Sequence, residues 1–273
     1  MNNILYIFLF FLFNNDQDVK AISYNIRYDN PNDGVNIWDN RKTTVTEFIS
    51  NEEADFIGMQ EVLKSQLVDL MNSLIDYDYV GVGRDDGETK GEYSPILFKK
   101  NKYKVLKSNT FWLSDTPNKI SVGWDASMER ICTYGLFENI NSNKKIWVFN
   151  THFDHIGVQA REKSVDLIID KINELNKMNF PVILTGDFNL GDKNKSIEKL
   201  QNELIDSKKN ILKANEYYGT YNGFKNFKAD KRIDYIFFKN LTLINSKHVY
   251  LKTKSNQWAS DHHPVVAYLK YIN

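Results

Sequence analysis

Short β-rich runs alternate with a few helical stretches along this chain. Residues 19–26 alternate in polarity and are rich in strand-forming side chains, so they predict the first strand. Apolar residues recur at spacings of three and four over residues 160–178, which predicts the longest helix, and over residues 43–50 and 65–74, which predicts two shorter ones. The other predicted strands are residues 55–59, 77–82, 94–99, 103–112, 131–137, 146–151, 182–185, 233–238, 241–251 and 265–269.

The order of these elements indicates the fold class. The strand at residues 182–185 follows the helix at residues 160–178 at once, and such a βαβ passage places helices over a sheet face. The closely spaced strands in the middle and at the end of the chain favour mostly antiparallel pairing. With about a dozen strands and about four helices, we predict an α/β fold, a sandwich of two mixed β-sheets with helices outside.

The first residues differ from the rest of the chain. Residues 4–13 form an unbroken apolar run of ten, the length of a signal-peptide core and too short to span a bilayer. No Lys or Arg precedes this run, and no small-residue cleavage pattern follows it, so a buried strand or helix is the alternative. We predict an N-terminal signal or anchor segment over residues 1–18 and one domain over residues 19–273. The protein is then secreted, periplasmic or membrane-associated, with a cytoplasmic location as the alternative.

Composition narrows the class of protein. Hydrophobic residues make up 42% of the chain, enough for a large core. The 35 Lys and Arg residues balance the 35 Asp and Glu residues, which removes the bulk charge signature of a protein that coats nucleic acid but leaves a local basic patch open. The single cysteine, Cys132, cannot form an intramolecular disulfide. We expect a monomer.

Polar residues of similar type follow several predicted strands. Asp261 and His262 precede the last strand, and Pro264 marks where that strand begins. Catalytic and binding residues gather on loops at strand ends, so this repeated pattern predicts a common site. The residues at the other strand ends are Asn25, Glu61, Asn150, His152, Asp187, Asn189 and Asp234.

These residue types fit one chemistry. Carboxylate and amide oxygens are the ligands that Mg²⁺ or Mn²⁺ prefers, and the sequence has no Cys/His spacing typical of zinc. A hard divalent ion beside Asp and His can activate water and neutralise charge on a phosphate ester. A carboxylate partner would orient the imidazole and favour its protonated form, and Asp234 is the candidate for that role.

The motifs together resemble those of a known group of enzymes. They are Asn25, Gln60-Glu61, Asn150-Thr151-His152, Gly186-Asp187-Phe188-Asn189, Arg232-Ile233-Asp234-Tyr235 and Ser260-Asp261-His262. Their types and order are similar to those of the endonuclease/exonuclease/phosphatase superfamily over nearly all of residues 19–269. Further segments, Gly91-Glu92-Tyr93-Ser94 among them, resemble its bacterial secreted or membrane-associated branch. The resemblance implies a four-layer α/β sandwich of two mixed β-sheets, as in pancreatic-type deoxyribonuclease.

The resemblance also implies roles for the site residues. It assigns Glu61 as the principal ligand of Mg²⁺ or Mn²⁺, with Asn25 and Asp261 near the metal. Asp187 would orient or deprotonate the attacking water, beside Asn189. His262 would contact the scissile phosphate and be oriented by Asp234. His152 would contact the phosphate or assist the leaving group, with Asn150 alongside.

The substrate stays open among several classes. A phosphodiesterase or nuclease acting on nucleic acid is our first hypothesis, and a basic groove beside the site would favour it. A phosphatase or phosphodiesterase for a sugar, inositol or sphingolipid phosphate is the second, and a closed pocket would favour it. A binding module without activity ranks below both. Arg41, Arg84 and Arg130 are candidate phosphate clamps, although structural ion pairs are the commoner use of such arginines.

Overall fold

Two six-stranded β-sheets pack face to face in a computed structural model that describes residues 18–208, 218–225, 229 and 231–272. The first sheet has the order β11-β12-β1-β2-β4-β3, and the second has the order β5-β6-β7-β8-β10-β9. The strands of the first sheet are β1 Asp18–Asn25, β2 Phe56–Gln60, β3 Tyr77–Val80, β4 Ile96–Lys99, β11 Leu241–His248 and β12 Val265–Tyr271. Those of the second are β5 Tyr103–Trp112, β6 Ile131–Asn139, β7 Lys145–His152, β8 Val182–Asp187, β9 Ile205–Asp206 and β10 Asp234–Lys239.

Helices cover the outer face of each sheet. Helices α1 (Trp38–Glu52) and α2 (Lys64–Ser73) share a hydrophobic core with the first sheet. Helices α3 (Val158–Leu175) and α4 (Lys195–Glu203) share a second core with the other sheet. A third core lies between the sheets, where side chains from the inner faces of both pack together. The predicted α/β sandwich of two mixed sheets with four layers is therefore confirmed.

Two differences from the predicted elements have simple causes. Helix α1 begins at Trp38 rather than at residue 43, because its first turn is polar and carries little helical periodicity. Helix α4 was not predicted because most of its residues are charged or carry amide side chains. Its buried residues are only Ser196, Ile197 and Leu200. In the described part of the chain, no helix is long and apolar enough to cross a membrane. The predicted signal or anchor segment lies almost wholly outside the described residues.

Strand pairing brings the polar strand ends to one edge of the sandwich. Strand β1 runs parallel to β2, with Asn25 beside Gln60, and β7 runs parallel to β8, with His152 beside Asp187. Strand β10 runs antiparallel to β8, so its first residue, Asp234, lies opposite Asp187. The C-terminal ends of β1, β2, β7 and β8 therefore meet at one edge of the sandwich. Strands β10 and β12, which run antiparallel to their neighbours, start at the same edge.

Candidate active site

A cavity of about 610 Å³ opens at this edge of the sandwich. Residues from the ends of both sheets and from the loops between them line it. The lining residues are Arg27, Tyr28, Glu61, Arg84, Glu92, Met128, Arg130, His152, His155, Asp187, Asn189, Tyr221, Lys231, Ile233, Asp261 and His262. Six of the nine predicted site residues are among them, namely Glu61, His152, Asp187, Asn189, Asp261 and His262.

Asn25 joins the acids of the two sheets. Its Nδ2 donates to Glu61 Oε1 at 3.0 Å and to Asp187 Oδ2 at 3.0 Å. Glu61 directly follows β2 and has a positive φ of 61°, a conformation that non-glycine residues adopt rarely and often at functional sites. The backbone N–H of Tyr28 donates to Glu61 Oε2 at 3.1 Å, which holds the carboxylate toward the cavity.

Asp261 lies near Glu61 on the loop before β12. The Ser260 hydroxyl donates to the carbonyl of Asn25 at 2.7 Å and ties this loop to the end of β1. Burial raises the pKa of Asp261 to about 6; the charge of His262 opposes this change and that of Glu61 reinforces it. Two carboxylates held close together repel each other unless a cation lies between them, so this pair fits a hard divalent ion.

His262 and Asp234 form a buried imidazole–carboxylate pair. Nδ1 of His262 lies 2.9 Å from Asp234 Oδ2, and only 5% of the His262 side chain is exposed. Burial by itself lowers the pKa of His262, but the carboxylates of Asp234 and Asp187 outweigh it and raise that pKa well above its ordinary value. His262 is therefore a cation whose Nε2 remains directed at the cavity, 3.7 Å from Asp187 Oδ2.

Asp187 lies between two histidines at the centre of the site. Burial, and next the charge of Asp234, raise the pKa of Asp187 to about 7. The backbone N–H of Asn189 donates to Asp187 Oδ1 at 3.0 Å. Asn189 has a positive φ of 49°, which turns the chain back after β8 and directs its side chain toward His152.

His152 differs from His262 in charge. Burial, and next the charges of Arg130 and Arg84, lower the pKa of His152 well below its ordinary value, so this ring is neutral. Nδ2 of Asn189 lies 3.2 Å from His152 Nε2 and can donate to it only if the ring proton is on Nδ1. Nδ1 has no hydrogen-bond partner and lies 3.8 Å from Glu92 Oε2.

Asn150, one of the nine site residues, and Arg41, a candidate phosphate clamp, make structural contacts instead of the predicted ones. Asn150 does not line the cavity, because its amide is enclosed between the two sheets. It donates to the carbonyls of Met59 (2.7 Å) and Pro95 (2.9 Å) and accepts from the side chains of Gln60 and Thr185. All of its hydrogen-bonding capacity is used there. Arg41 does not clamp phosphate: it is fully buried and donates to backbone carbonyls, including those of Ile26 and Ala259.

Sequence reasoning missed three charged residues among the described lining of the cavity, namely Arg27, Glu92 and Lys231. Glu92 faces His152. Arg84 donates two hydrogen bonds, of 2.8 and 3.0 Å, to the Glu92 carboxylate. Arg27, two residues past Asn25, lines the cavity beside Glu61. Glu92 lies in a loop between strands and Arg27 has no motif of its own, so only the polar segment around Glu92 offered a signal.

A family model described as the Endonuclease/Exonuclease/phosphatase family matches residues 22–262, most of the chain. The chain belongs to this family. Enzymes of the family hydrolyse phosphate esters and generally use divalent metals.

Several relatives within the family are similar over almost their whole length. The chain is 39% identical to an endonuclease/exonuclease/phosphatase from Bacteroides vulgatus, with a TM-score of 0.88 and coverage of 94% of this chain and 100% of that one. It is 34% identical to a mannosyl-6-phosphatase from Bacteroides thetaiotaomicron, with a TM-score of 0.86 and coverage of 93% and 100%. It is also 30% identical to an uncharacterized protein of Acanthamoeba polyphaga mimivirus, covering 84% of this chain and 91% of that protein.

Two groups of side chains among the described residues of the site could hold a metal. Asp187, Asp234 and His262 have ligand atoms within 4.8 Å of one another. In that group, however, His262 Nδ1 is already paired with Asp234, and Asp187 Oδ2 accepts from Asn25. Glu61 and Asp261 offer oxygen atoms alone, which suits the hard cations of phosphate chemistry better.

Proposed function

We propose that this protein is a divalent-cation-dependent phosphatase that removes phosphate from a small, hydrophilic monoester such as a sugar phosphate. The form of the site carries the proposal. In the described part of the chain, the site residues line an open cavity of about 610 Å³, a size that suits a small molecule. This departs from our first sequence-based hypothesis, a nuclease, which remains an outcome of the test below.

The charges of the cavity wall also favour a small substrate. Among the described residues, four basic and four acidic side chains line it, so these charges balance before His262 is counted. The basic residues are Arg27, Arg84, Arg130 and Lys231, and the acidic ones are Glu61, Glu92, Asp187 and Asp261. Each of the arginines has a carboxylate partner within 3.5 Å. A nucleic-acid groove needs positive charge that is not already neutralised by neighbours.

The similarity to the mannosyl-6-phosphatase of Bacteroides thetaiotaomicron supports a sugar phosphate in particular. That protein is 34% identical to this chain and aligns with 93% of it. A shared fold alone would leave the substrate open, so this level of identity over nearly the whole chain is what supports the proposal.

Asp187 has the geometry of the residue that activates water. It is buried at the centre of the cavity edge, and the pKa of about 7 makes its carboxylate basic enough to accept a proton near neutral pH. Asn25 orients the same carboxylate through Oδ2, and Asn189 holds Oδ1. A divalent cation at Glu61 and Asp261 would polarise the phosphoryl oxygens and offset the negative charge that develops on them.

The two histidines then have separate tasks. The cationic His262 donates from Nε2 to a phosphoryl oxygen, and Asp234 keeps it charged and oriented. The neutral His152 cannot offset negative charge on the phosphate. Together with Asn189, it would instead orient the substrate near the departing oxygen.

The proposal is tested by a substrate panel with purified protein. Mannose 6-phosphate, p-nitrophenyl phosphate, bis-p-nitrophenyl phosphate and plasmid DNA are compared in Mg²⁺, in Mn²⁺ and in EDTA. We expect the monoesters to have the higher kcat/KM, and EDTA to abolish their turnover. Cleavage of plasmid DNA or the diester in preference to every monoester would replace the proposal with the nuclease hypothesis.

Glu61→Gln is the matching variant. We expect it to lower kcat by about 100-fold or more, because it removes a carboxylate that would hold the divalent cation and thereby weakens the positive charge at the reacting phosphate. Glu174→Gln is the control, since Glu174 is exposed on α3 and pairs only with Lys171 among the described contacts. Activity of Glu61→Gln equal to that of the control would contradict the assigned role of Glu61.

A further inference from the structure

Arg27 is held in place more firmly than a surface arginine would be. It follows β1 with a positive φ of 58°, a strained conformation for a long side chain. Its N–H donates to Asn25 Oδ1 at 3.0 Å. Its carbonyl accepts from Arg41 Nη2 at 3.2 Å and from Gln66 Nε2 at 3.0 Å. Contacts on both sides of the residue therefore impose this strained conformation.

The guanidinium group is fixed as well. Asp33 accepts from Nε at 2.9 Å and from Nη2 at 3.1 Å, which forms a two-point ion pair. The guanidinium carbon lies 4.4 Å from the ring centre of Tyr28. Asp33 thus occupies one edge of the guanidinium, and Tyr28 covers one face.

The Nη1 atom of Arg27, which Asp33 does not bind, can donate a hydrogen bond into the cavity. Nη1 lies 3.8 Å from Glu61 Oε2, which is close enough for attraction between charges but too long for a hydrogen bond. Arg84, on the same cavity wall, differs because both of its terminal nitrogens donate to Glu92. Arg27 therefore presents a rigid donor beside the carboxylate that we assign to the metal.

We infer that Arg27 is a specificity-determining residue that recognises the second negative charge of a phosphate monoester. This inference rests on the proposed function. A phosphate monoester carries a charge of about −1.5 to −2 at pH 7, whereas a diester carries a single negative charge. A fixed guanidinium stabilises the more highly charged group more, because the attraction scales with the charge.

The test compares one ratio in several variants. We measure kcat/KM for p-nitrophenyl phosphate, divide it by kcat/KM for bis-p-nitrophenyl phosphate, and follow this ratio from the wild type to Arg27→Gln and Arg27→Lys. We expect the ratio to fall by about tenfold in Arg27→Gln, the size of one charge-assisted hydrogen bond. Arg27→Lys keeps the charge and is expected to retain more of the ratio.

Lys42→Gln is the matched control, because it removes one positive charge from α1 outside the cavity. Its ratio should equal that of the wild type. Thermal unfolding of each variant shows whether it is folded. Isothermal titration with inorganic phosphate gives a second readout without turnover, and binding to Arg27→Gln is expected to weaken by about tenfold.

The outcomes separate the inference from the proposed function. A wild type that hydrolyses no monoester better than the diester overturns the proposed function. A wild type that prefers monoesters, together with a folded Arg27→Gln protein that has an unchanged ratio and unchanged phosphate binding, overturns only the role of Arg27. An equal loss on both substrates likewise overturns it, since Arg27 would then act through Glu61 or the loop.

Discussion

His152 and His262 lie on either side of Asp187, yet they have different charges. Nε2 of His152 is 3.5 Å from Asp187 Oδ2, and Nε2 of His262 is 3.7 Å from the same atom. Both rings are buried, which by itself favours the neutral form. His262 is cationic because Asp234 and Asp187 face it, whereas Arg130 and Arg84 keep His152 neutral.

The charge of His262 leads to a prediction for Asp234→Asn. Removing the carboxylate lowers the pKa of His262, so the imidazolium is lost at a lower pH as the pH rises. We expect kcat to fall on the order of 100-fold and the alkaline limb of the pH–rate profile to move to lower pH. Steady-state kinetics across pH measure both effects.

Asp166→Asn is the control for this variant, because Asp166 is half exposed and pairs with Lys199 away from the cavity. Thermal unfolding establishes that both variants are folded. If Asp234→Asn has the pH profile and kcat of the control, Asp234 does not maintain the charge of His262.

The residue types of the site were predicted from the sequence, and the resemblance to the family supplied the pairing of His262 with Asp234, which the structure confirms. Asp261 and His262 are adjacent in sequence, yet Asp261 lies near Glu61 and His262 is paired with Asp234, 28 residues away. Glu92 was missed because its importance comes from facing His152 across the cavity. That contact joins distant parts of the chain, so neither spacing nor residue type reveals it.

At the scale of elements, the site depends on how closely the two sheets approach. Gly58 in β2 faces β8, and a Cβ atom there would collide with the side chains of Thr185 and Asn150. The missing side chain lets the Asn150 amide reach the carbonyl of Met59 on the opposite sheet. This contact lies next to the strand ends that carry Asn25 and Glu61, so it sets the distance between the two halves of the site.

This position predicts a mainly structural effect for Asn150→Ala. The change removes four hydrogen bonds, two of which the Asn150 amide donates to buried carbonyls of the other sheet. We expect the free energy of unfolding in urea to fall by about 3 kcal/mol or more. Because Asn150 does not line the cavity, kcat of the folded fraction should change much less than in Glu61→Gln.

Asn109→Ala provides a comparison on exposed strand β5, where the expected change is within about 0.5 kcal/mol. The reverse result for Asn150→Ala, unchanged stability with a large loss of kcat, would instead support the catalytic role that its sequence motif implies.

At the scale of the whole molecule, the formal net charge is zero, so the pH dependence of stability is governed by individual buried groups. His263 is one of these. It is almost fully buried, and Tyr250 and Trp258 pack against its ring. Burial, and next the charge of His262, lower the pKa of His263 from 6.5 to about 4.

The lowered pKa gives a direction for acid destabilisation. Between pH 6.5 and about 4 the unfolded chain protonates His263 and the folded chain does not, so stability is lost as the pH falls through this range. We expect denaturant unfolding to show that wild type loses about 3 kcal/mol more than His263→Gln over this window. Equal losses in the two proteins would show that His263 is not held neutral.

Cellular location and association remain predictions at this scale. The apolar run at residues 4–13 predicts export or membrane attachment. A monomer stays an expectation. The substrate is likewise a proposal, since the family includes both nucleases and phosphatases. The size and charge of the cavity favour a small ester over a nucleic acid.

The sequence by itself determined the family, the α/β sandwich and the residue types at the strand ends, because periodicity and local motifs depend on neighbours along the chain. Only the tertiary structure decided which histidine is charged, that Asn150 lies between the sheets and that Arg27 faces the cavity. These properties depend on burial and on charges brought together from distant strands, and both arise when the two sheets pack.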